Sequence, residues 1–245
     1  RLAFGEGLGN AIAGMTLADP VYVDTVWGGG TLGGFSIDSE TQSMPSDDTA
    51  PGPFSELSVN RILYDLFDTG ATEAHDTVAL GLGPIYDVLT GSQRTTDALT
   101  TIGSFIAGIK VQPGVNAAAV DTLLAFYDVG AITNVYGGGD ADLAAMYTSI
   151  TIPFAGTHDL TGGQGPNFRQ QNQYFVFTGT GAELTVSAGH ASEDVGIALY
   201  RAGEIVGEAD QLLIGTESFD VTTVAGATYV LVLTALSFTP VSYIA

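Results

Sequence analysis

The sequence predicts an α+β protein of more than one domain, with a mostly α-helical first half and an antiparallel β-sandwich in the second. Three observations predict it. The chain has 245 residues, enough for one large domain or two ordinary ones. Apolar residues recur at helical spacing up to about residue 132 and at period two beyond about residue 172. Between these stretches lies a segment rich in Gly, Asp, Thr and Pro that has neither period. The domains so read are 1–135, helical; 136–171, a linker; and 172–245, a β-sandwich.

The first helix carries Leu8, Ile12 and Met15 as its apolar stripe and stops before Asp19-Pro20, since proline bars continuation. A Gly/Ser/Asp-rich loop is expected from about Trp27 to Pro53, including Gly28-Gly29-Gly30 and Asp47-Asp48. The second helix starts near Ser55 and buries Val59, Ile62, Leu63 and Leu66. A polar loop from Asp68 to Thr77 carries His75. Pro84 suits the first turn of a short helix through Leu89. Thr95 or Thr96 caps the next helix, whose stripe is Leu99, Ile102, Ile106 and Ile109 and which Pro113 terminates. Asn116 caps the last, with Val120, Leu123, Leu124 and Tyr127 inward and Gly130 at the left-handed C-terminal position.

One strand is expected within the linker, at Ser149 to Phe154. In the second half, period-two strands are read at Tyr174 to Thr178, Glu183 to Ser187, Val195 to Tyr200, Ser218 to Thr222 and Thr228 to Leu233. Gly179, Gly181, Gly203 and Gly226 mark the turns between them. Short strands at this spacing make a small sandwich.

Charge excludes whole classes of partner. The chain has 27 acidic and 6 basic residues, a net charge of -21. Nucleic acid and anionic lipid both require a basic surface, so neither is an expected partner. No stretch reaches the roughly 18 apolar residues that cross a bilayer. The acidity would attract divalent cations, calcium among them. Gly137-Gly138-Gly139-Asp140-Ala141-Asp142 resembles part of a calcium-binding turn, although a flexible linker is the simpler reading of a single copy. Cysteine is absent, which excludes disulfides.

Chemistry concentrates at the start. Glu6 and Asn10, four residues apart, share one helix face in an otherwise apolar, small-residue stretch. A carboxylate there needs a cation or hydrogen-bond donors, and a metal ion is one such partner. The bland reading, a structural charge with a partner, stands beside it. Gly5-Glu6-Gly7-Leu8-Gly9-Asn10, the helix from Ser55 to Phe67, and Phe126-Tyr127-Asp128-Val129-Gly130-Ala131-Ile132 together resemble the C-terminal helical half of thermolysin-like zinc metallopeptidases, the gluzincins. That resemblance implies Glu6 as the third zinc ligand and His75 as the histidine that stabilises the transition state, with Asp76 or Asp68 setting its tautomer. It places Asn10 where the family has an aspartate that orients a zinc-bound histidine, so the charge is missing although an acceptor remains. Read alone, His75 is a solvated loop histidine and Asn10 a packing residue.

The departure from the family is the missing His-Glu-x-x-His, which would supply two zinc ligands and a general base. Only His75, His158 and His190 are present, far apart. The expectation is therefore that Arg1 follows a missing N-terminal half, a partner without which this chain is incomplete as a catalyst. The stretches from Gln173 to Thr178, Asp194 to Tyr200 and Ala225 to Val232 are similar to the bacterial pre-peptidase C-terminal domain, a secretion or binding accessory. Together the two resemblances imply part of a secreted or cell-surface zinc metalloendopeptidase acting on peptide or protein. The alternative is a non-catalytic extracellular binding or structural protein on a peptidase-like scaffold.

Overall fold

The computed structural model describes residues 1–28, 31–40, 46–69, 73–161, 172–211, 214–235 and 240–244. The chain divides into two units, Arg1–Gln93 with Thr100–Ala141, and Arg94–Leu99 with Asp142–Ala245. The segment read as a linker therefore joins the second unit from Asp142 onward and supplies two of its strands. Its residues 162–171, and Gly29 and Gly30 of the expected glycine loop, lie outside the described residues.

The first unit is built on two helices lying side by side. α1 (Leu2–Leu17) buries Phe4, Gly7, Asn10, Ala11, Gly14 and Met15, a stripe at the helical period. This corrects the expected stripe: Leu8 and Ile12 are only half-buried, because glycines rather than large side chains make the contact. Gly7 packs on Glu56, Val59 and Asn60 of α2 (Glu56–Phe67), and Gly14 packs on Tyr64. The two helices thus advance in the same sense. Between them in sequence stands an antiparallel hairpin, β1 (Val21–Gly28) and β2 (Thr31–Asp38), with Val21 opposite Asp38 and Gly28 opposite Thr31. The expected loop over Trp27 to Pro53 is thereby corrected in its first part. Val21, Val23 and Thr25 alternate with Tyr22 and Asp24, a period-two signal that the glycines obscured.

Polar ties hold the chain after β2 onto α2. The fully buried Arg61 donates from Nε to the Asp38 carbonyl at 3.1 Å and from a terminal nitrogen to both Asp47 oxygens at 3.2 and 3.1 Å. Asn60 donates to Ser39 Oγ at 2.9 Å. Asp48 accepts from Ser55 Oγ and, at 2.6 Å, from Ser58 Oγ, while Ser55 Oγ caps α2 by accepting from Ser58 N.

α3 (Leu82–Thr90), α4 (Ile102–Lys110) and α5 (Ala117–Phe126) complete the unit. The cap of α4 is Thr101, which forms a reciprocal box with Ser104, and not Thr95 or Thr96. Leu99 consequently lies outside α4 and packs in the second unit with Val230 and Val232. Ile62, Leu63, Leu66, Phe105, Ile106, Leu123 and Leu124 fill the core of the first unit. Lys110, the chain's only lysine, donates to Asp121 and to the Ile132 carbonyl. Gly130 does not take the left-handed position, which Asp128 holds at φ 57°. A Cβ at position 130 would meet the Gly139 carbonyl at 2.6 Å, so glycine is required there for close approach. The predicted cap Asn116 accepts from Ala118 N and Ala119 N. Asn116→Ala is expected to cost about 1 kcal/mol of stability, read as a lowered urea midpoint by circular dichroism.

After the turn α6 (Ala141–Ala144), the described residues of the second unit form the strands β3 (Tyr147–Ser149), β4 (Thr157–Thr161), β5 (Asn172–Thr178), β6 (Glu183–Gly189), β7 (Val195–Arg201), β8 (Glu204–Ala209), β9 (Thr216–Thr222), β10 (Thr228–Ala235) and β11 (Pro240–Ile244). They form two sheets, ordered β3-β5-β10-β7-β8 and β4-β11-β6-β9. All pairings are antiparallel except β3 with β5, which is parallel. Leu160, Phe175, Val186, Ala188, Val195, Ile197, Leu233 and Ala235, drawn from both sheets, share one core. That shared core makes the unit a sandwich.

Candidate functional site

The two ends of α2 hold different chemistry. At its start stands the residue pair singled out in the opening helix. Glu6 is exposed, while Asn10, 8% exposed, turns inward and donates from Nδ2 to Glu56 Oε1 at 2.8 Å. The two are therefore not a pair pointing together out of a buried helix: Asn10 clamps α1 to α2 and Glu6 faces outward. Ideal Cβ atoms at Gly5 and Gly9 would meet nothing within 4 Å, so the helix face that carries Glu6 is open to approach. As a zinc site this end supplies one carboxylate of the expected ligand set. Among the described residues, the group of potential metal ligands that lie close together is Asp65, Glu73 and His75, and it does not include Glu6.

At the other end of α2, and just after it, three potential ligand groups converge. Asp65, Glu73 and His75 each offer one atom, and these atoms all lie within 4.8 Å of one another. Asp65 is fully buried and Glu73 is 5% exposed. Asp65 Oδ2 stands 3.6 Å from His75 Nε2, whose side chain is 9% exposed, and accepts a 2.7 Å hydrogen bond from the Tyr127 hydroxyl. The imidazole is held by aromatic rings: it stacks on Phe126 with centroids 3.5 Å apart and planes 9° apart, and it meets Tyr127 edge-on. Asp76, named from sequence as a partner of His75, instead accepts from Val78 N at 2.8 Å through Oδ1. Asp65 is the carboxylate that faces the ring. Sequence reading missed it, although a carboxylate one position before Leu66, within the apolar stripe of α2, was the available signal. Tyr127 was read as inward, but without its polar partner.

Burial dominates the electrostatics here. It pushes the Asp65 carboxyl up to about 9, opposed by the Tyr127 hydrogen bond and reinforced by the charges of Glu73, Asp76 and Asp68. Asp76 is raised to about 6 by burial, against the Val78 N–H. Glu40 rises to about 8 through burial, then through its hydrogen bond to Asp68 and the negative charges around it. Burial lowers the His75 pKa, which favours the neutral imidazole, the form that ligates metals. Tyr127 is raised by burial and by Asp65.

Glu6 and His75 are not brought together. Gly7 contacts α2 between Glu56 and Asn60, whereas Asp65 lies further along, roughly 7–14 Å down the axis at about 1.5 Å per residue. The Asp-rich turn after α5 is used structurally, since Asp140 accepts from Gly130 N at 2.7 Å. In the second unit a cavity of about 420 Å³ opens between the sheets, lined by Ile150, Ile152, Phe154, Phe175, Phe177 and Leu184 among others, none of them titratable. No helix among the described residues is long and apolar enough to cross a membrane.

No family model matches the chain, and no curated protein matches it. Among solved structures, the pre-peptidase C-terminal domain of collagenase from Bacillus anthracis is similar over 40% of this chain and 90% of that one, at 10% identity and a TM-score of 0.31. PliG of Aeromonas hydrophila, a periplasmic lysozyme inhibitor of g-type lysozyme, is similar over 40% of this chain and 93% of that one, at 10% identity and a TM-score of 0.29.

Proposed function

We propose that this chain is part of a secreted zinc-dependent metalloendopeptidase, to which the helical unit contributes Glu6 as a zinc ligand and the sandwich an accessory domain. The observation that supports this reading is the way α1 is held. Gly7 and Asn10 lock one face of the helix against α2, while Glu6 lies on the exposed face with Gly5 and Gly9, whose missing side chains leave that face approachable. A glutamate kept for its charge alone would be expected to meet a cation. Arg61–Asp47, His75–Asp65 and Lys110–Asp121 are ion pairs of the described residues, and none of these includes Glu6. Two histidines and a general-base glutamate from a further segment would complete the set, leaving a fourth position for water. Zinc so bound polarises a peptide carbonyl and acidifies its water. The oxyanion role that the resemblance gives to His75 has no support in its position, because its ring faces Asp65 and not Glu6.

The test joins this chain to the segment encoded directly upstream and assays peptidase activity. Activity should vanish with a chelator and return with Zn²⁺. Glu6→Gln should lose at least about 100-fold in kcat/KM, since even outer partners of metal ligands are worth about 10–100-fold. An upstream segment without His-Glu-x-x-His, or a fully active Glu6→Gln enzyme, would sink the reading and leave the non-catalytic binding protein in its place.

A further inference from the structure

We infer that Asp65, Glu73 and His75 form a cation site of their own, separate from Glu6, which takes a divalent first-row transition ion such as Zn²⁺ through two carboxylates and one imidazole. The spacing suits such an ion. Two ligands at about 2.0–2.2 Å from a tetrahedral metal stand roughly 3.4 Å apart, and Asp65 Oδ2 and His75 Nε2 are separated by 3.6 Å. That separation is too long for a hydrogen bond between them.

Two buried atoms at this point have no hydrogen-bond partner, Asp65 Oδ1 and His75 Nε2. The Asp65 side chain is 0% exposed and that of His75 is 9% exposed. Leaving a buried polar group unsatisfied costs about 1–3 kcal/mol, and more when it is charged. His75 Nε2 stands 3.6 Å from one oxygen of the Asp65 carboxylate while the other oxygen is unpartnered, so the pair keeps bonding capacity that a bound ion would use. The surroundings are arranged as they are behind ligands in metal sites. The Tyr127 hydroxyl fixes Asp65 from outside, and Phe126 and Tyr127 fix the plane of the ring. The imidazole argues against calcium and magnesium, which favour all-oxygen shells, whereas nitrogen with carboxylate oxygen suits zinc and its neighbours.

The experiment uses the 245-residue chain, stripped by chelator and then titrated near neutral pH, with ZnCl2 by calorimetry and with CoCl2 by visible absorption. The expected result is one ion per chain, with the intense d–d bands of a four- or five-coordinate cobalt. His75→Gln and Asp65→Asn should each weaken Zn²⁺ binding by at least about 10-fold, and Glu204→Gln, at an exposed position of β8, should leave it unchanged. Because Asp65→Asn alters a buried pair and can unfold the unit, the unsubstituted chain supplies an independent readout. Zn²⁺ should shift the ring resonances of His75, assigned by elimination against His158→Gln and His190→Gln. No uptake by the folded chain, uptake abolished by Glu6→Gln alone, or a shift confined to His158 or His190 would each overturn the proposal. In the first of these cases the group is a protonated carboxyl beside a neutral histidine.

Discussion

Gly7→Ala is expected to destabilise the helical unit by about 1–3 kcal/mol, the range for overpacking a close contact, and Gly7→Val by more. The added Cβ would stand 2.8 Å from the Glu56 carbonyl oxygen, 2.8 Å from Val59 Cγ1 and 2.9 Å from Asn60 N. Two of these are backbone atoms and cannot rotate away. α1 must then withdraw from α2, loosening the buried Phe4, Ala11 and Met15 and the Asn10–Glu56 hydrogen bond. An internal control is available, because an ideal Cβ at Gly5 or Gly9 meets nothing within 4 Å. There the ordinary helical preference applies, and Gly5→Ala should stabilise by about 0.5–1 kcal/mol. Urea denaturation of the three proteins decides the matter. Equal stability of Gly7→Ala and Gly5→Ala would mean that α1 does not pack on α2 through its glycines. The contrast also bears on function, since the contact at Gly7 is what turns Glu6 outward.

How much of this was legible in the sequence depends on how local each signal is. The cap of α5, Asn116, and the start of α2 near Ser55 are legible, because both residues act within three residues of themselves. The start of α4 was read early. Leu99 matches the helical stripe by spacing, but its partners Val230 and Val232 are remote in sequence. In the sandwich, the strands with buried alternation were found, as with Phe175 and Phe177 in β5. β8, with Glu204 and Glu208 on a sheet edge, was missed because edge strands carry charge and little apolar period. The convergence of Asp65, Glu73 and His75 was half-legible. His75 and the carboxylates near it were noted, but the choice of Asp65 over Asp76 depends on α2 turning one side chain inward. The Tyr127 hydroxyl reaches Asp65 across 62 positions of chain, and no local pattern records that. The outward rotation of Glu6 was likewise hidden, because it follows from glycine contacts and not from an apolar stripe.

The chelated chain should become less stable as pH rises from about 5 to about 8. A carboxyl whose folded pKa lies above its unfolded value binds a proton in the folded state that the unfolded chain has released, so stability falls with rising pH across the interval between the two. For Asp65 that interval runs from 3.8 to about 9. One such proton corresponds to about 1.4 kcal/mol per pH unit, or roughly 4 kcal/mol over the range. Glu40, raised to about 8, acts in the same direction. This is opposite to the behaviour of a salt-bridged carboxylate, whose stabilisation appears as pH rises. The general repulsion of a chain with net charge -21 also grows with pH, so the slope alone does not identify Asp65. Asp65→Asn does, because it removes the titrating group and leaves the overall charge almost unchanged. Thermal or urea unfolding at several pH values should show a shallower slope in that variant, by about one proton, with the largest difference at the alkaline end. A slope identical in the two proteins would mean that Asp65 is ionised throughout, and that a partner other than a proton neutralises it in the folded state.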